Sequence, residues 1–240
     1  MEIEEFENQL KLKAKELEIE LNNKQIKQFY KYMLLLIEWN EKINLTAIVK
    51  PEDIILKHFI DSITISKYIK QGKTLIDVGS GAGFPGIPLK IIREDIKVTL
   101  LDSLNKRVNF LNQVIEELEL EDIDTIHSRA EDAGTNKSYR GKFDVATSRA
   151  VANLSVLSEY MIPFVKVKGK VINMKASKLD LEIEESKKSI SVLGGEIQEI
   201  NEIILPGTKI KRTIVIINKR ETTPSMYPRK AGIPSKEPIS

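Results

Sequence analysis

Three glycines alternate directly behind an apolar run in Leu75-Ile76-Asp77-Val78-Gly79-Ser80-Gly81-Ala82-Gly83-Phe84-Pro85-Gly86. Glycine accepts positive φ and lets a ligand approach the backbone closely. At the carboxyl end of a strand in an open α/β sheet such a loop binds ligands, and Pro85 supplies a helix start. Asp77 stands at the strand tip, where a carboxylate disfavours a pyrophosphate and suits an ammonium or sulfonium group. Asp102 ends a second apolar run, where an acid accepts hydrogen bonds from both ribose hydroxyls. Gly81 to Gly86 satisfies G-x-G-x-x-G literally, but too far past the strand and with a proline inside; started at Gly79, its third position is Phe84. No Gly-Lys-Ser/Thr follows, which excludes a Walker A loop. A bare structural turn explains the glycines poorly, since they lower stability unless something approaches them. The loop and the two acids together predict an S-adenosylmethionine site.

Those residues need strands to hold them. Strands are expected at Leu75–Val78, Val98–Asp102, Asp124–His127, Phe143–Thr147 and Lys170–Met174. Helices are expected between them at Pro85–Arg93, Leu104–Leu118, Leu154–Phe164 and Leu179–Ile190. This alternation implies a parallel, doubly wound sheet. Glu196–Leu205 and Lys211–Asn218, joined through Pro206-Gly207, read as an antiparallel hairpin added at its end. The third strand leads to His127-Ser128-Arg129-Ala130-Glu131-Asp132, placed to surround an adenine edge, and the fourth to the mouth of the cleft. The fold class is therefore α/β: a class I (Rossmann-like) S-adenosylmethionine-dependent methyltransferase with a mostly parallel seven-stranded sheet, a terminal antiparallel hairpin and N-terminal helices.

The first seventy residues carry apolar side chains at helical spacing, over about Glu4 to Leu21 and again from Ile26 to Ile37. Trp39 to Thr46 reads as a turn or loop, and a further short helix spans Pro51 to Tyr68. The expected divisions are 1–70, an N-terminal helical extension; 71–220, the methyltransferase domain; and 221–240, a basic, proline-rich, extended tail. Asp132 to Lys142 reads as a mobile loop.

Composition narrows the chemistry. At 240 residues, with 41% hydrophobic and 30% charged residues, the chain can bury a sizeable core. No apolar run is long enough to span a membrane, and the acidic start lacks the features of a secretory signal. With no Cys and only His58 and His127, a disulfide framework and a thiolate or multi-His metal centre are not expected. The reading is a cytoplasmic, metal-independent protein, and nothing demands more than a monomer. From Pro206 onward eight basic residues face two acids; a basic end on an acidic body suggests an anionic partner.

The acceptor atom follows partly by elimination. No Asn/Asp-Pro-Pro-aromatic tetrad, associated with methylation of exocyclic amines, follows the fourth strand. Methylation of pyrimidine carbon 5 requires a thiolate the chain lacks. An acceptor that is already nucleophilic needs positioning and desolvation rather than a base. Guanine N7 is such an atom, and carboxylates, small-molecule amines and protein side chains stay open by this argument.

Asp77 to Leu89, Leu101-Asp102-Ser103-Leu104-Asn105-Lys106-Arg107, Ser148-Arg149-Ala150-Val151-Ala152 and Tyr227 to Pro234 closely resemble the bacterial 16S ribosomal RNA guanine-N7 methyltransferase family, RsmG, also called GidB. Trp39 to Thr46 and His58-Phe59-Ile60-Asp61-Ser62 match as well, so the resemblance spans nearly the whole chain. It implies methyl transfer from S-adenosylmethionine to one guanine in the decoding-region loop of 16S rRNA, free or in the small ribosomal subunit. It also implies cofactor contacts at Gly79, Phe84, Ala130, Glu131 and Arg149, with Asp77, Gly81 and Asp102 beside them, and Arg149 as the catalytic candidate.

Simpler roles stand beside these. Phe84 is either a core cap or a cofactor platform, and Arg149 either a partner of Glu131 or a contact at the cleft. His58 and His127, Trp39, Phe29 and Tyr30 read as structural. Lys106 and Arg107 open a helix, where cations oppose the dipole and a phosphate partner would relieve them. With Lys175, Arg212, Arg229 and Lys230 they are the RNA-contact candidates. Two other readings compete: a methyltransferase for small molecules or proteins, and a non-catalytic RNA-binding module that senses the cofactor.

Overall fold

The computed structural model describes residues 1–149, 152–176 and 179–239. Ala150 and Val151, in the motif after the fourth strand, lie outside the described residues. Seven strands, β1 (Thr74–Val78), β2 (Lys97–Asp102), β3 (Ile123–His127), β4 (Phe143–Arg149), β5 (Val165–Ala176), β6 (Gly195–Ile204) and β7 (Lys211–Lys219), form one sheet in the order β3-β2-β1-β4-β5-β7-β6. The first five are mutually parallel and β7 is antiparallel to both neighbours. The chain builds outward from β1 to β3, then crosses to β4 on the other side of β1. That reversal opens a crevice at the carboxyl ends of the strands. The expected hairpin is present, with its second strand inside and its first at the edge. Burial explains the order: Thr213 to Ile217 are consecutively buried, whereas β6 alternates between half-buried and exposed positions.

Helices cover both faces. One face carries Leu75, Leu100, Val145, Ile172 and Ile216, packed under α1 (Ile3–Glu16), α2 (Asn23–Ile43), the helical stretch from Pro51 to Tyr68, α5 (Gly86–Ile92) and α6 (Asn105–Glu117). The other carries Ile76, Val78, Ala146, Val171 and Ile217 beneath α7 (Ala130–Thr135), α8 (Leu154–Met161) and α9 (Asp180–Val192). Phe59 is the hinge of the first core. Its ring lies 6.3 Å from Phe6, 5.0 Å from Phe29 and 5.4 Å from Tyr32, and Tyr32 stacks on Phe84 at 5.4 Å. The residues before position 71 thus share one continuous core with the sheet. No described helix is long and apolar enough to cross a membrane.

Several local expectations are corrected. Trp39 to Ile43 are the last turn of α2 rather than a loop. Trp39 packs 5.6 Å from Phe110, its indole N–H donates to Gln113, and left-handed Asn44 ends the helix. The first helix stops at Glu16, because Leu17 and Ile19 N–H turn back onto the Ala14 carbonyl and Glu18 is left-handed. Pro51 to Tyr68 is broken into α3 (Pro51–Ile54), a π-helical turn at Ile55–Ile60, α4 (Asp61–Ile63) and a 3-10 turn at Ser66–Tyr68. Such π turns are frequent at functional sites; this one buries Phe59 in the core while His58 and Asp61 reach the end of β4. The stretch after Asp132, expected as a mobile loop, continues α7 and then folds through successive turns, and the tail ends in a short helix, α10 (Ile233–Lys236).

Phe59→Ala should lower the free energy of unfolding by about 3–5 kcal/mol. Urea titration followed by circular dichroism measures it, and a loss below about 1 kcal/mol would show that the N-terminal helices do not depend on this contact.

Candidate functional site

Gly79, Gly81 and Gly83 adopt φ of 74°, 60° and 95°, the left-handed region open to glycine. Gly79 and Ser80 N–H both donate to the Leu101 carbonyl, at 2.8 and 3.0 Å. Asp102 completes the join: Oδ2 accepts Gly81 N–H at 2.8 Å and Oδ1 accepts Leu104 N–H at 2.9 Å. At Gly83 a Cβ would come within 2.6 Å of the Tyr32 hydroxyl and of Ile87, and that hydroxyl donates to the Ala82 carbonyl. The glycine loop is thus clamped between β2 and α2.

A cleft of about 220 Å³ opens beside the loop. Val78 and Gly79 contribute from β1, Leu101, Asp102 and Ser103 from β2, Ser128 to Glu131 after β3, Tyr160 from α8, and Gly232 and Ser235 from the tail. Its chemistry fits a nucleoside. Val78, Leu101 and Tyr160 give apolar walls, and each oxygen of Asp102 keeps a lone pair for a hydroxyl. The volume lies below the roughly 300–1,000 Å³ of whole small-molecule sites, so the cleft accommodates the nucleoside portion of a ligand. A larger cavity of about 490 Å³ between α9 and the Arg220 region contains no residue of the glycine loop.

The tail is fastened along its length. Lys219 Nζ, buried and pushed down to about 7 first by burial and then by the Arg140 charge, donates to the Ile162 and Leu193 carbonyls and to Thr223. Arg140 donates to the carbonyls of Gly134, Thr223, Pro224 and Tyr227. Buried Glu159 accepts from the Arg229 guanidinium at 2.7 Å and from its backbone N–H at 2.7 Å. Glu131 Oε1 then accepts Gly232 N–H at 2.9 Å, which sets the last segment against the cleft.

Beneath the loop lies a second, buried cluster. Arg149 donates to the Lys57 carbonyl at 2.8 Å and to His58 Nδ1 at 2.9 Å, sits 3.5 Å from Asp61, and stacks 4.9 Å from the Phe84 ring centre. A guanidinium only donates, so His58 Nδ1 accepts and its Nε2–H points to the Thr46 hydroxyl 3.0 Å away. Burial and then the Arg149 charge push the imidazole down to about 3, which keeps it neutral. Arg212 Nε lies 3.2 and 3.0 Å from the two Asp61 oxygens. Asp77 faces the same core. Its Oδ2 accepts Gly86 N–H at 2.9 Å, its Oδ1 has no partner among the described residues, and burial pushes the carboxyl up to about 7.

The expected site residues therefore divide. Gly79, Asp102, Ala130 and Glu131 line the cleft, and Gly81 is tied to it through Asp102. Asp77 is fully buried under α5, because its side chain follows Leu75 onto the α5 face of β1. Phe84 is 5% exposed and stacks on His58 at 4.4 Å in the core. Arg149 pairs with Asp61, not with Glu131. Among the RNA-contact candidates, Arg107 lies 3.5 Å from Asp102, Lys175 pairs with Glu182 at 2.5 Å, Arg212 with Asp61 and Arg229 with Glu159. Lys106 and Lys230 are exposed and have no carboxylate partner among the described residues. Tyr160, Arg140 and Glu159 were not anticipated. Nothing in their local sequence marks them, since each acts on a segment distant along the chain.

A family model described as "GidB: rRNA small subunit methyltransferase G" matches residues 25–213. Proteins named "Ribosomal RNA small subunit methyltransferase G" are similar over almost the full length. One from Clostridium botulinum (strain Loch Maree / Type A3) is 54% identical over 98% of this chain and 99% of its own. One from Desulforamulus reducens is 53% identical over 96% and 97%. Among solved structures, a mutant of MtNAS in complex with S-adenosylmethionine superposes with a TM-score of 0.55 at 16% identity, over 81% of this chain and 73% of that one. M. jannaschii TYW2 in complex with AdoMet gives 0.53 at 15%, over 65% and 72%. At such identities the structures establish the fold alone.

Two outcomes follow from the buried groups. The folded state holds the Asp77 proton up to about pH 7, whereas the unfolded chain releases it near 3.8. Asp77 therefore subtracts stability as pH rises through that window. Asp77→Asn should gain stability relative to the parent more at pH 8 than at pH 5 in urea titrations; an equal difference at both would show that the carboxyl titrates normally. Arg229→Ala leaves the buried Glu159 carboxylate without its guanidinium, with only the residue-229 N–H still donating to it, a defect of about 3 kcal/mol that undocking of the tail relieves. Trypsin should then cut faster after Lys230 while the remaining chain resists; an unchanged cleavage rate would place the anchoring elsewhere.

Proposed function

The chain belongs to the GidB family of small-subunit ribosomal RNA methyltransferases, and from that premise we propose that it methylates N7 of one guanine in the decoding-region loop of 16S rRNA, with S-adenosylmethionine as donor. The carrying observation is Asp102, whose carboxylate closes the glycine loop onto β2 and still lines the cleft at the sheet's reversal point. Gly79, Gly81, Asp102, Ala130 and Glu131 are the residues that would hold the cofactor, which when bound supplies an electrophilic methyl group on a sulfonium. Asp102 orients a ribose through its free lone pairs. Val78, Leu101 and Tyr160 exclude water from the nucleoside portion.

Guanine N7 offers an in-plane lone pair and carries no proton, so alignment and desolvation supply the rate and no general base is required. Arg149 acts here as a positioning residue. By joining the end of β4 to the Pro51–Tyr68 stretch and stacking on Phe84, it fixes the floor under the glycine loop. Exposed Lys106 and Lys230 are available to RNA phosphates near the cleft. The protein acts as a monomer in the cytoplasm, on small subunits or their precursors.

The test is transfer of labelled methyl from S-adenosylmethionine to small subunits that lack the modification, followed by digestion and mass spectrometry. A single 7-methylguanosine in 16S rRNA is expected. Asp102→Ala should weaken cofactor binding roughly 10–100-fold, the worth of charge-assisted hydrogen bonds. Label in protein or in small molecules, with none in RNA, would overturn the reading.

A further inference from the structure

The amino ends of the parallel strands gather a second concentration of charge, at the edge of the sheet opposite the cleft. A cavity of about 380 Å³ there is lined by Lys70, Lys73, Lys168 and Lys170, together with Tyr68, Asp144 and the carboxamides of Gln198 and Asn218. Among the described residues Asp144 is the one carboxylate in that lining, and it is already engaged by Lys73 at 3.1 Å, Lys166 at 3.5 Å and the Thr74 N–H and hydroxyl. Lys70, Lys168 and Lys170 have no carboxylate partner among the described residues. Lys168, near the start of β5, also has a left-handed φ of 72° that glycine or asparagine would take with less strain.

We propose that this lysine-lined hollow is a second contact for the phosphate backbone of the substrate RNA, distant from the reacting base. The inference rests on the assignment of small-subunit rRNA as substrate. The hollow is open and polar, and its cations are flexible ammonium groups rather than a rigid guanidinium fork, so it neutralises phosphates without reading shape. A compact anionic metabolite would require converging buried donors, whereas an extended polyanion needs only local positive potential. The strands separate hollow and cleft by on the order of 20 Å, a span that a folded RNA particle covers easily. The hollow then orients the particle while the cleft selects the base.

The experiment compares the wild-type chain with Lys70→Glu/Lys168→Glu/Lys170→Glu and with the corresponding triple glutamine variant, in methyl transfer to small subunits across a potassium chloride series. The KM for subunits should rise at least about tenfold, and the slope of log KM against log salt should fall by roughly two to three, one unit or slightly less per phosphate contact. The kcat and the cofactor dissociation constant should stay unchanged. The glutamine variant supplies the same readout if charge reversal prevents folding. Wild-type turnover with identical KM and slope in the variants would overturn the inference. So would occupation of the hollow by tripolyphosphate in the wild type with no change in subunit KM, which would make it a small-anion site. Absence of turnover in the wild type would instead overturn the substrate assignment.

Discussion

A guanidinium at the end of β4, mostly shielded from solvent, ties together most of what surrounds the cleft. Arg149 reaches the Lys57 carbonyl, His58 and Asp61 on the helical stretch that precedes the sheet, and lies across the ring of Phe84 in the glycine loop. Asp61 passes the connection on to Arg212 at the start of β7. A buried charge of this kind is weak evidence for stability in itself, since desolvation offsets much of the attraction. Its consequence is geometrical. Its two donated hydrogen bonds fix where the Pro51–Tyr68 stretch meets the end of β4. The neutral His58, held by Thr46, and the π turn that presents it are parts of the same constraint.

The cleft is built above this floor by backbone groups more than by side chains. Asp102 spends one lone pair of each oxygen on a loop amide and keeps the others. This reconciles two roles for one residue: the acid that shapes the loop is also the acid that faces the ligand. The tail supplies the remaining wall, and it is anchored by groups that would be costly to leave unpaired: a buried lysine, a buried glutamate and an arginine that takes four carbonyls. Access to the cleft and order in the tail are therefore linked through the bond from Gly232 to Glu131.

Surface charge follows a different logic. Most basic residues that invite assignment to RNA are already matched by carboxylates: Arg212 by Asp61, Arg229 by Glu159, Lys175 by Glu182. Lys106 and Lys230 are left at one end of the sheet, and Lys70, Lys168 and Lys170 at the other. Charge counted along the chain places the excess in the last 35 residues, yet of these five lysines only Lys230 lies there.

Local chemistry made much of this legible from residues alone. The alternating strands and helices, the glycine loop at the first strand tip, the acid at the second and the terminal hairpin rest on period and residue type, which act over a few positions. The family resemblance lay in the same short motifs. The tertiary structure decided the rest. It turned Asp77 inward, since strand alternation leaves open which face meets α5. It placed β7 inside β6, committed Arg149 and Phe84 to the floor beneath the loop, and brought Gly232 to Glu131 across about a hundred residues of chain. These outcomes depend on which distant groups satisfy one another's buried hydrogen bonds and charges, and no local pattern of residues carries that information.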